Sequence, residues 1–389
     1  MSGGPHQQPA QARSRNLVLT CLLMATTKSG AAGPMDIPAL TQDMPRMDEC
    51  VPSPVFSPMS CPMNGGAPLE LDLSAPDSQS ADETVGLSLS GDELHAASVP
   101  GVAIPPESER LLEDVRGALH AGGKFVPAED GDGVLLVLSP TGEPIAVWKS
   151  QFEERRDHST AIEQGCGRGQ RAQREFMAYL VDKALPPDLR AGVPPTVLAQ
   201  INRRNGFPPH LGSIQRFVQS KSSSEDWGSS QFGRDNVQRI AIFDLLTLNL
   251  DRHGGNMLVG HDGKLIPIDH GYSLPEVIAG EPWLDWRLWP QASAPVDDGL
   301  RSSVLSINPL IAKPFAEALG LPDGVWQTVA RMTVQLQHAL TAGQTLRDVA
   351  ESLMPETAGA YEDALEDLSL EDMSSSPRGP IAACLRAGA

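Results

Sequence analysis

The sequence has few aromatic residues, few cysteines, little positive charge and no long apolar run. Aromatic residues make up 5% of the chain, and 49 acidic against 30 basic residues give a formal net charge of −19. This acidity argues against nucleic acid or an anionic membrane as the main electrostatic partner. Five scattered cysteines without a Cys-x-x-Cys pair argue against a disulfide framework or a zinc site, and they favour a reducing compartment.

No apolar run approaches the roughly 20 residues that a membrane-spanning helix needs, so no transmembrane segment is predicted. No acidic residue precedes Asp36, whereas Arg13, Arg15 and Lys28 do. This composition fits either an organelle transit peptide or a disordered tail. We therefore expect a cytoplasmic protein, with peripheral membrane contact and organelle import as alternatives.

The distribution of residue types divides the chain into four parts. Residues 1–105 are rich in Pro, Ser and Gly without sustained periodicity, which predicts a disordered tail. Residues 106–230 read as strands with a helix, and residues 231–356 as mostly helical. Residues 357–389 form an acidic, flexible tail. Strands followed by helices predict a two-lobed α+β fold.

The first lobe contains a hairpin and a glycine-rich bend. Counting outward from the turn of the hairpin at residues 134–149 places Lys149 across from Asp132. This aspartate lies between Gly131 and Gly133 in the sequence. Such a bend lets backbone approach phosphates, and the ammonium would neutralise them. The alternative is that Lys149 is a solvated charge at a strand end.

The second hairpin carries the polar residues around which the chain is organised. Asp262-Gly263 is typical of a two-residue turn, because these residue types tolerate positive φ. That turn would place Asn256 opposite Asp269. Carboxylate and amide oxygens are ligands that Mg²⁺ accepts, so this pair is a candidate metal site.

The loop before this hairpin supplies candidates for proton transfer. Asp251 precedes Asn256 by five residues, the spacing of the protein-kinase catalytic loop. Phosphoryl transfer requires positioning and charge neutralisation, and Asp251 or His253 could accept the proton of the attacking hydroxyl. The alternative is an ordinary hairpin with a polar loop.

These motifs resemble a known family. Asp251-Arg252-His253-x-x-Asn256 and Ile268-Asp269-His270-Gly271 are similar to the catalytic and activation motifs of phosphatidylinositol 3/4-kinases, most closely those of the plant phosphatidylinositol 4-kinase gamma group. Further similar segments follow the family's order between about residues 120 and 355: Arg174-Glu175-x-x-Ala178-Tyr179, Gly192-Val193-Pro194-Pro195-Thr196, Tyr272-Ser273-Leu274-Pro275-Glu276 and Trp289-Pro290-Gln291-Ala292.

The resemblance implies a protein-kinase-like fold that uses ATP with Mg²⁺ or Mn²⁺. It assigns Lys149 to the ATP phosphates, with Glu175 as its ion-pair partner, and the glycines within residues 131–133 to the phosphate loop. Gln215 and Val218 would belong to the strand and hinge that hold adenine.

The resemblance also assigns the catalytic and metal residues. Asp251 and His253 would act on the acceptor hydroxyl, and Arg252 would support their loop. Asn256 and Asp269 would bind the metal.

Three functions remain open from the sequence. The first is an ATP-dependent lipid kinase acting on phosphatidylinositol. The second is a Ser/Thr protein kinase, because Glu276, Glu281 and Asp285 make the segment after Asp269 acidic, which suits a basic protein substrate. The third is a pseudokinase or adaptor, which the retained polar positions make the least favoured.

Overall fold

The computed structural model describes residues 90–128, 134–151, 165–202, 210–278 and 281–353, all within one compact unit. The helices in these ranges are α1 Pro106–His120, α2 Arg171–Ala184, α3 Arg234–Leu246, α4 Pro290–Ser293, α5 Asp298–Leu305, α6 Lys313–Ala318, α7 Asp323–Thr341 and α8 Leu346–Ser352. The strands are β1 Leu94–Ala96, β2 Lys124–Pro127, β3 Val134–Leu138, β4 Pro144–Ser150, β5 Thr196–Ile201, β6 His210–Arg216, β7 Ser220–Ser223, β8 Asp251–Arg252, β9 Met257–Gly260, β10 Leu265–Pro267 and β11 Trp283–Leu284. Most strands precede most helices, and the predicted α+β fold is confirmed.

An antiparallel sheet forms the first half of the described chain, in the order β1-β5-β6-β4-β3-β2. Helix α1 covers one face, where Leu111 and Val115 join a core with Trp148 and Ile214. Burial of these apolar side chains holds the amphipathic helix on the sheet.

The opposite face of the sheet carries Lys149. Side chains alternate along a strand and register partners share a face, so Lys149 lies on the face of its partner Ser213 and of Leu198. Leu198 packs in the same core as Phe176 of α2 and Val237 of α3. Helix α2 therefore lies between the sheet and the helical half, although the sequence indicated only a place in the first lobe.

The first hairpin has a different register from the predicted one. Lys149 pairs with Val134, not Asp132, which lies outside the described residues. The Ser139 N–H donates to the Glu143 carbonyl at 2.8 Å, so the loop contains three residues. Gly142 has φ +86°, and the register shifts by one at Val137/Leu138. A glycine at positive φ and a bulge are the features of a three-residue hairpin loop, and they account for the difference.

The second hairpin also differs, by one residue. Leu265 pairs with Val259, and the Ile268 N–H donates to the Asn256 carbonyl at 3.0 Å. Asn256 therefore faces Ile268 rather than Asp269. The turn contains three residues, because the Gly260 N–H donates to the Lys264 carbonyl at 2.8 Å.

The helical half is built around α3, which is apolar nearly all round and buried as its sequence predicts. Phe243 and Leu246 of α3 share one core with Val329 and Leu336 of α7. Thr345 caps α8 through the predicted capping box with Asp348. None of the helices in the described ranges is both long and apolar enough to cross a bilayer.

The N-terminal tail was predicted to extend to residue 105, but part of it is ordered. β1 pairs with β5, and Leu94 is buried in the sheet core. A strand of three residues is too short to give a periodic signal in the sequence. The remaining tail predictions, for residues 1–89 and 357–389, lie outside the described residues.

Candidate active site

Four charged side chains meet where the sheet, α2 and the second hairpin converge. Lys149 of β4 donates a hydrogen bond to Glu175 of α2, and its Nζ lies 3.0 Å from Asp269 Oδ1. Arg171, at the start of α2, brings its Nη2 to 3.5 Å from the same oxygen. Two carboxylates and two cations thus form one cluster, largely shielded from solvent.

The charges in this cluster set each other's pKa values. Burial would raise the pKa of Asp269, but Lys149 and Arg171 outweigh it and hold the pKa well below its usual range. Burial likewise opposes ionisation of Glu175, but the charge of Lys149, followed by the nearby His270 ring, lowers the pKa of Glu175 overall. Burial would lower the pKa of Lys149, yet Asp269 and Glu175 raise it overall. All three groups are therefore charged at neutral pH.

The catalytic-loop motif follows α3 and is held by Arg252. This side chain is fully buried and donates through Nε to Asp244 and through Nη1 to the carbonyls of Asn256 and Ile268, both at 2.7 Å. One guanidinium therefore joins the two strands that precede and follow the polar turn. Arg252 does not reach solvent, and all of these contacts are to other parts of the protein.

Asp251 and His253 lie on either side of Arg252 at the mouth of the loop. Burial raises the pKa of Asp251, His253 lowers it, and the nearby charge of Asp269 raises it further, for a net increase. The Gly255 N–H donates to His253 Nδ1 at 3.1 Å. An imidazole nitrogen that accepts a hydrogen bond carries no proton, so the neutral His253 ring has its proton on Nε2.

Asn256 is oriented by the same loop. Its Nδ2 donates to the Asp251 carbonyl at 2.9 Å, which fixes the amide so that its oxygen points away from this bond. The residue is 4% exposed. The same loop brings Asp251 near enough to Asp269 for that charge to raise the pKa of Asp251.

The site motifs agree with comparisons to known proteins. Residues 148–334 match the family described as phosphatidylinositol 3- and 4-kinase. Phosphatidylinositol 4-kinase gamma 2 of Arabidopsis thaliana is 28% identical over 71% of this chain and 57% of its own length, and gamma 1 of the same plant is 30% identical over 67% and 53%. Residues 148–334 thus carry a phosphatidylinositol 3- and 4-kinase family domain.

A further relative matches this chain to a similar extent. Phosphatidylinositol 4-kinase gamma 4 of Oryza sativa subsp. japonica is 29% identical over 65% of this chain and 53% of its own. The chain spans about half the length of these curated relatives. A solved MAP kinase from Leishmania major overlaps 70% of this chain and 92% of its own, but a TM-score of 0.25 at 10% identity is too low to bear on the fold.

The candidate metal ligands of this kinase domain are few but of suitable type. In the described part of the chain, no group of three or more His, Cys, Asp or Glu side chains is arranged as a metal site. Asn256 offers an amide oxygen, and Asp269 offers an ionised carboxylate. This set fits Mg²⁺, which commonly takes one or two protein oxygens and completes its shell with phosphates and water.

The predicted nucleotide residues are only partly described. Gln215 shares the face of Lys149, because its register partner is Val147, and its Nε2 donates to Thr196 Oγ1 at 3.0 Å. Val218 follows β6 and lines a cavity of about 340 Å³ that also contacts α2. The glycines Gly131 and Gly133 lie outside the described residues.

Several site residues were missed by sequence reasoning. Arg171 pairs with Asp269, and buried His270 brings Nδ1 to 3.8 Å from Glu175 Oε2. Asp285 accepts from the Gly254 N–H at 2.7 Å. His270 stands next to Asp269 in the motif, which was a usable signal, whereas the contacts of Arg171 and Asp285 depend on chain folding.

Proposed function

We propose that this protein is an ATP-dependent phosphotransferase that moves the γ-phosphate of ATP to a hydroxyl of an inositol lipid, in the manner of a phosphatidylinositol 4-kinase. The observation that carries the proposal is the meeting of Lys149, Glu175 and Asp269 beside the loop that bears Asp251 and Asn256. Phosphoryl transfer depends on this kind of arrangement, because positioning and charge neutralisation provide most of the catalysis.

Lys149 would hold the phosphates of the nucleotide. Its charge is maintained by Asp269 and Glu175, and its position by the hydrogen bond to α2. Glu175 keeps the ammonium in place, since the helix that carries it is packed in the core on its other sides. Gln215 and Val218 would lie on the adenine side of the same sheet.

Asn256 and Asp269 would hold Mg²⁺, or Mn²⁺ in its place. The bound ion would neutralise charge on the phosphate oxygens. Arg252 would orient the ligands of the ion. It donates to the backbone carbonyls of Asn256 and Ile268, and Ile268 directly precedes Asp269.

Asp251 is the better candidate for accepting the proton of the acceptor hydroxyl. Nδ1 of His253 already accepts from the Gly255 N–H, so its lone pair is not available to a substrate proton. Asp251 has a raised pKa, and a carboxylate of raised pKa is a stronger base. His253 would instead donate to an acceptor oxygen or to a phosphate.

A Ser/Thr protein kinase is the second candidate, and one observation favours it. Two carboxylates lie beside the loop of residues 251–256. Glu225 Oε1 is 3.7 Å from His253 Nδ1, and Asp285 accepts a hydrogen bond from the Gly254 N–H. Negative charge at this position would attract a basic peptide and would disfavour an anionic headgroup. A lipid acceptor would require peripheral contact with a membrane surface.

The test is phosphate transfer by the full chain with Mg²⁺ and labelled ATP. Phosphatidylinositol vesicles and a basic protein are offered separately, with Asp269→Ala as the site variant and Asp262→Ala, an exposed turn residue, as its control. Label in the lipid that Asp269→Ala abolishes supports the proposal. Label only in protein supports the second candidate, and label in neither, without ATP binding, supports a pseudokinase.

A further inference from the structure

One carboxylate joins the catalytic loop, residues 251–256, to the segment of residues 281–289. Asp285 Oδ2 accepts from the Gly254 N–H at 2.7 Å, and Asp285 Oδ1 accepts from Trp283 Nε1 at 2.7 Å. Asp285 directly follows β11, whose backbone pairs with β8 at the start of the loop. Both oxygens of this side chain are therefore used, one toward the loop and one toward its own segment.

The Gly254 N–H needs a partner from outside the loop. Gly254 begins a single 3₁₀ turn that ends at Asn256, and the first N–H groups of a helical turn have no acceptor within it. The Gly255 N–H donates to His253 Nδ1, and the Asn256 N–H donates to the His253 carbonyl. Asp285 supplies the acceptor for the Gly254 N–H, so it fixes the peptide group between His253 and Gly254.

This peptide group lies between the side chains that the reaction would use. Asp251, the candidate base, comes two residues before His253, and Asn256, the candidate metal ligand, comes two residues after Gly254. The Asn256 amide also donates to the Asp251 carbonyl at 2.9 Å. A rotation of the peptide group would therefore change the positions of Asp251, His253 and Asn256 together.

The segment that carries Asp285 is held in place by other residues. Leu284 and Trp286, on either side of Asp285, are 2% and 0% exposed and belong to the larger core. Trp286 Nε1 also donates to Asp244 of α3 at 2.9 Å. Packing thus fixes where Asp285 stands, and its carboxylate transmits that position to the catalytic loop.

We propose that Asp285 is a positioning residue that holds the catalytic loop in the arrangement required for phosphate transfer. The inference rests on the proposed function, because that function assigns the reacting side chains to this loop. A carboxylate can accept from two N–H donors at once, whereas an amide of the same shape has one oxygen and one NH₂ group. Asp285→Asn would therefore break one of the two bonds and leave two donors facing each other.

The experiment compares Asp285→Asn with Asp323→Asn in the full chain. Asp323 is the matched control, because its Oδ1 accepts from Trp326 Nε1 at 3.0 Å and, among the described residues, it has no hydrogen bond to the catalytic loop. Hydrogen exchange, measured by mass spectrometry, follows the peptides that cover residues 251–256. In parallel, kcat and KM are measured for the acceptor that the wild type phosphorylates, together with the Kd for ATP and the melting temperature.

Asp285→Asn should speed hydrogen exchange in residues 251–256, and Asp323→Asn should leave it as in wild type. The kcat of Asp285→Asn should fall by about tenfold to a hundredfold, because a small misplacement of reacting groups has an effect of this size. The Kd for ATP should change little, since Lys149 and Glu175 lie on other elements. Asp285→Glu, which keeps both acceptor oxygens, should recover part of kcat.

Trp283→Phe tests the second bond of the carboxylate. The substitution removes the indole N–H but keeps an aromatic ring, so it breaks only the bond to Asp285 Oδ1. If the carboxylate acts as one link, the effects of Trp283→Phe and Asp285→Asn on kcat are not additive, and the double variant is about as slow as Asp285→Asn. Additive effects would mean that the two bonds act independently and would contradict a single link.

Equal kcat for wild type and Asp285→Asn would overturn the inference. Parallel losses of kcat, ATP binding and melting temperature would also overturn it, because they indicate a general structural role. If the wild type phosphorylates no acceptor, the proposed function fails. Faster exchange of residues 251–256 in Asp285→Asn would then still support the link between Asp285 and the loop, and unchanged exchange would refute it.

Discussion

Arg252 Nε lies 3.0 Å from Asp244 Oδ2, and both side chains are fully buried. Asp244 also accepts from Trp286 Nε1 at 2.9 Å and from Asn249 Nδ2 at 3.2 Å. The guanidinium in turn holds the carbonyls of Asn256 and Ile268. This pair thus connects α3, the loop of residues 251–256 and the end of the second hairpin.

Asp244→Asn should destabilise the protein strongly. The substitution leaves the buried Arg252 charge without its partner, which typically costs about 3–5 kcal/mol. We expect the free energy of unfolding, measured with denaturant at neutral pH, to fall by about this amount. Asp298→Asn is the control, since its pair with Arg301 is exposed and should contribute little. Equal stability of both variants would mean that the buried pair is not the connection we describe.

Lys149→Met should impair nucleotide use while keeping the fold. Met preserves the length of the side chain but removes the charge that pairs with Glu175 and Asp269. We expect phosphate transfer to fall by about a hundredfold or more, and ATP affinity to weaken. Lys264→Met, which removes an exposed turn lysine, should leave both unchanged. If Lys149→Met is nearly as active as wild type, Lys149 is only a solvated charge at a strand end.

Apolar periodicity in the sequence predicted α1, α2 and α3 because each buries a stripe or its whole surface. It did not predict hairpin register, since the same Asp-Gly pair can occupy a two-residue or a three-residue turn. The actual turn moves Asn256 opposite Ile268. Asp269 still joins the site, because its backbone has φ +52° and the chain changes direction directly after β10.

Contacts between residues far apart in the sequence could not be predicted from local sequence patterns. Asp285 reaches Gly254 only because β11 returns to pair with β8, and nothing in the spacing of these residues indicates a two-residue parallel pair. Arg171 reaches Asp269 because α2 begins next to the second hairpin. The family motifs pointed to residues 251–256 and 269 as candidates, whereas the residues that orient them became visible only from packing.

Asp251→Asn should strongly reduce turnover yet stabilise the protein at neutral pH. As a base, Asp251 must be deprotonated, and its raised pKa moves the acid limb of kcat/KM above the usual range of an aspartate. Turnover should fall by about 10²–10⁴-fold in the variant.

The expected sign for the stability of Asp251→Asn follows from linkage. When the pKa of a carboxyl group is higher in the folded than in the unfolded protein, the protein loses stability as the pH rises through these values. The charged form of the carboxyl group therefore opposes folding at neutral pH. The variant lacks this charge. Its melting temperature should exceed that of wild type at pH 7, and the difference should shrink below the folded pKa. A variant that is inactive and less stable at pH 7 would contradict the assigned burial of the charge.

His270→Phe should weaken the site without emptying the core. The His270 ring is fully buried, packs edge-on against Phe243 at 5.6 Å and faces Glu175 with Nδ1 at 3.8 Å from Oε2. Phe fills the same space but offers no donor, so the pKa of Glu175 should rise towards the value that burial imposes. Glu175 would then hold Lys149 less firmly at low pH, and ATP affinity should fall more steeply on acidification than in wild type.

His270→Gln, which restores a donor, should recover part of the loss, and Phe243→Leu tests repacking alone. Nucleotide titrations between pH 5 and 8, with melting temperatures alongside, measure both effects, and superimposable curves for wild type and His270→Phe would reduce His270 to a packing residue.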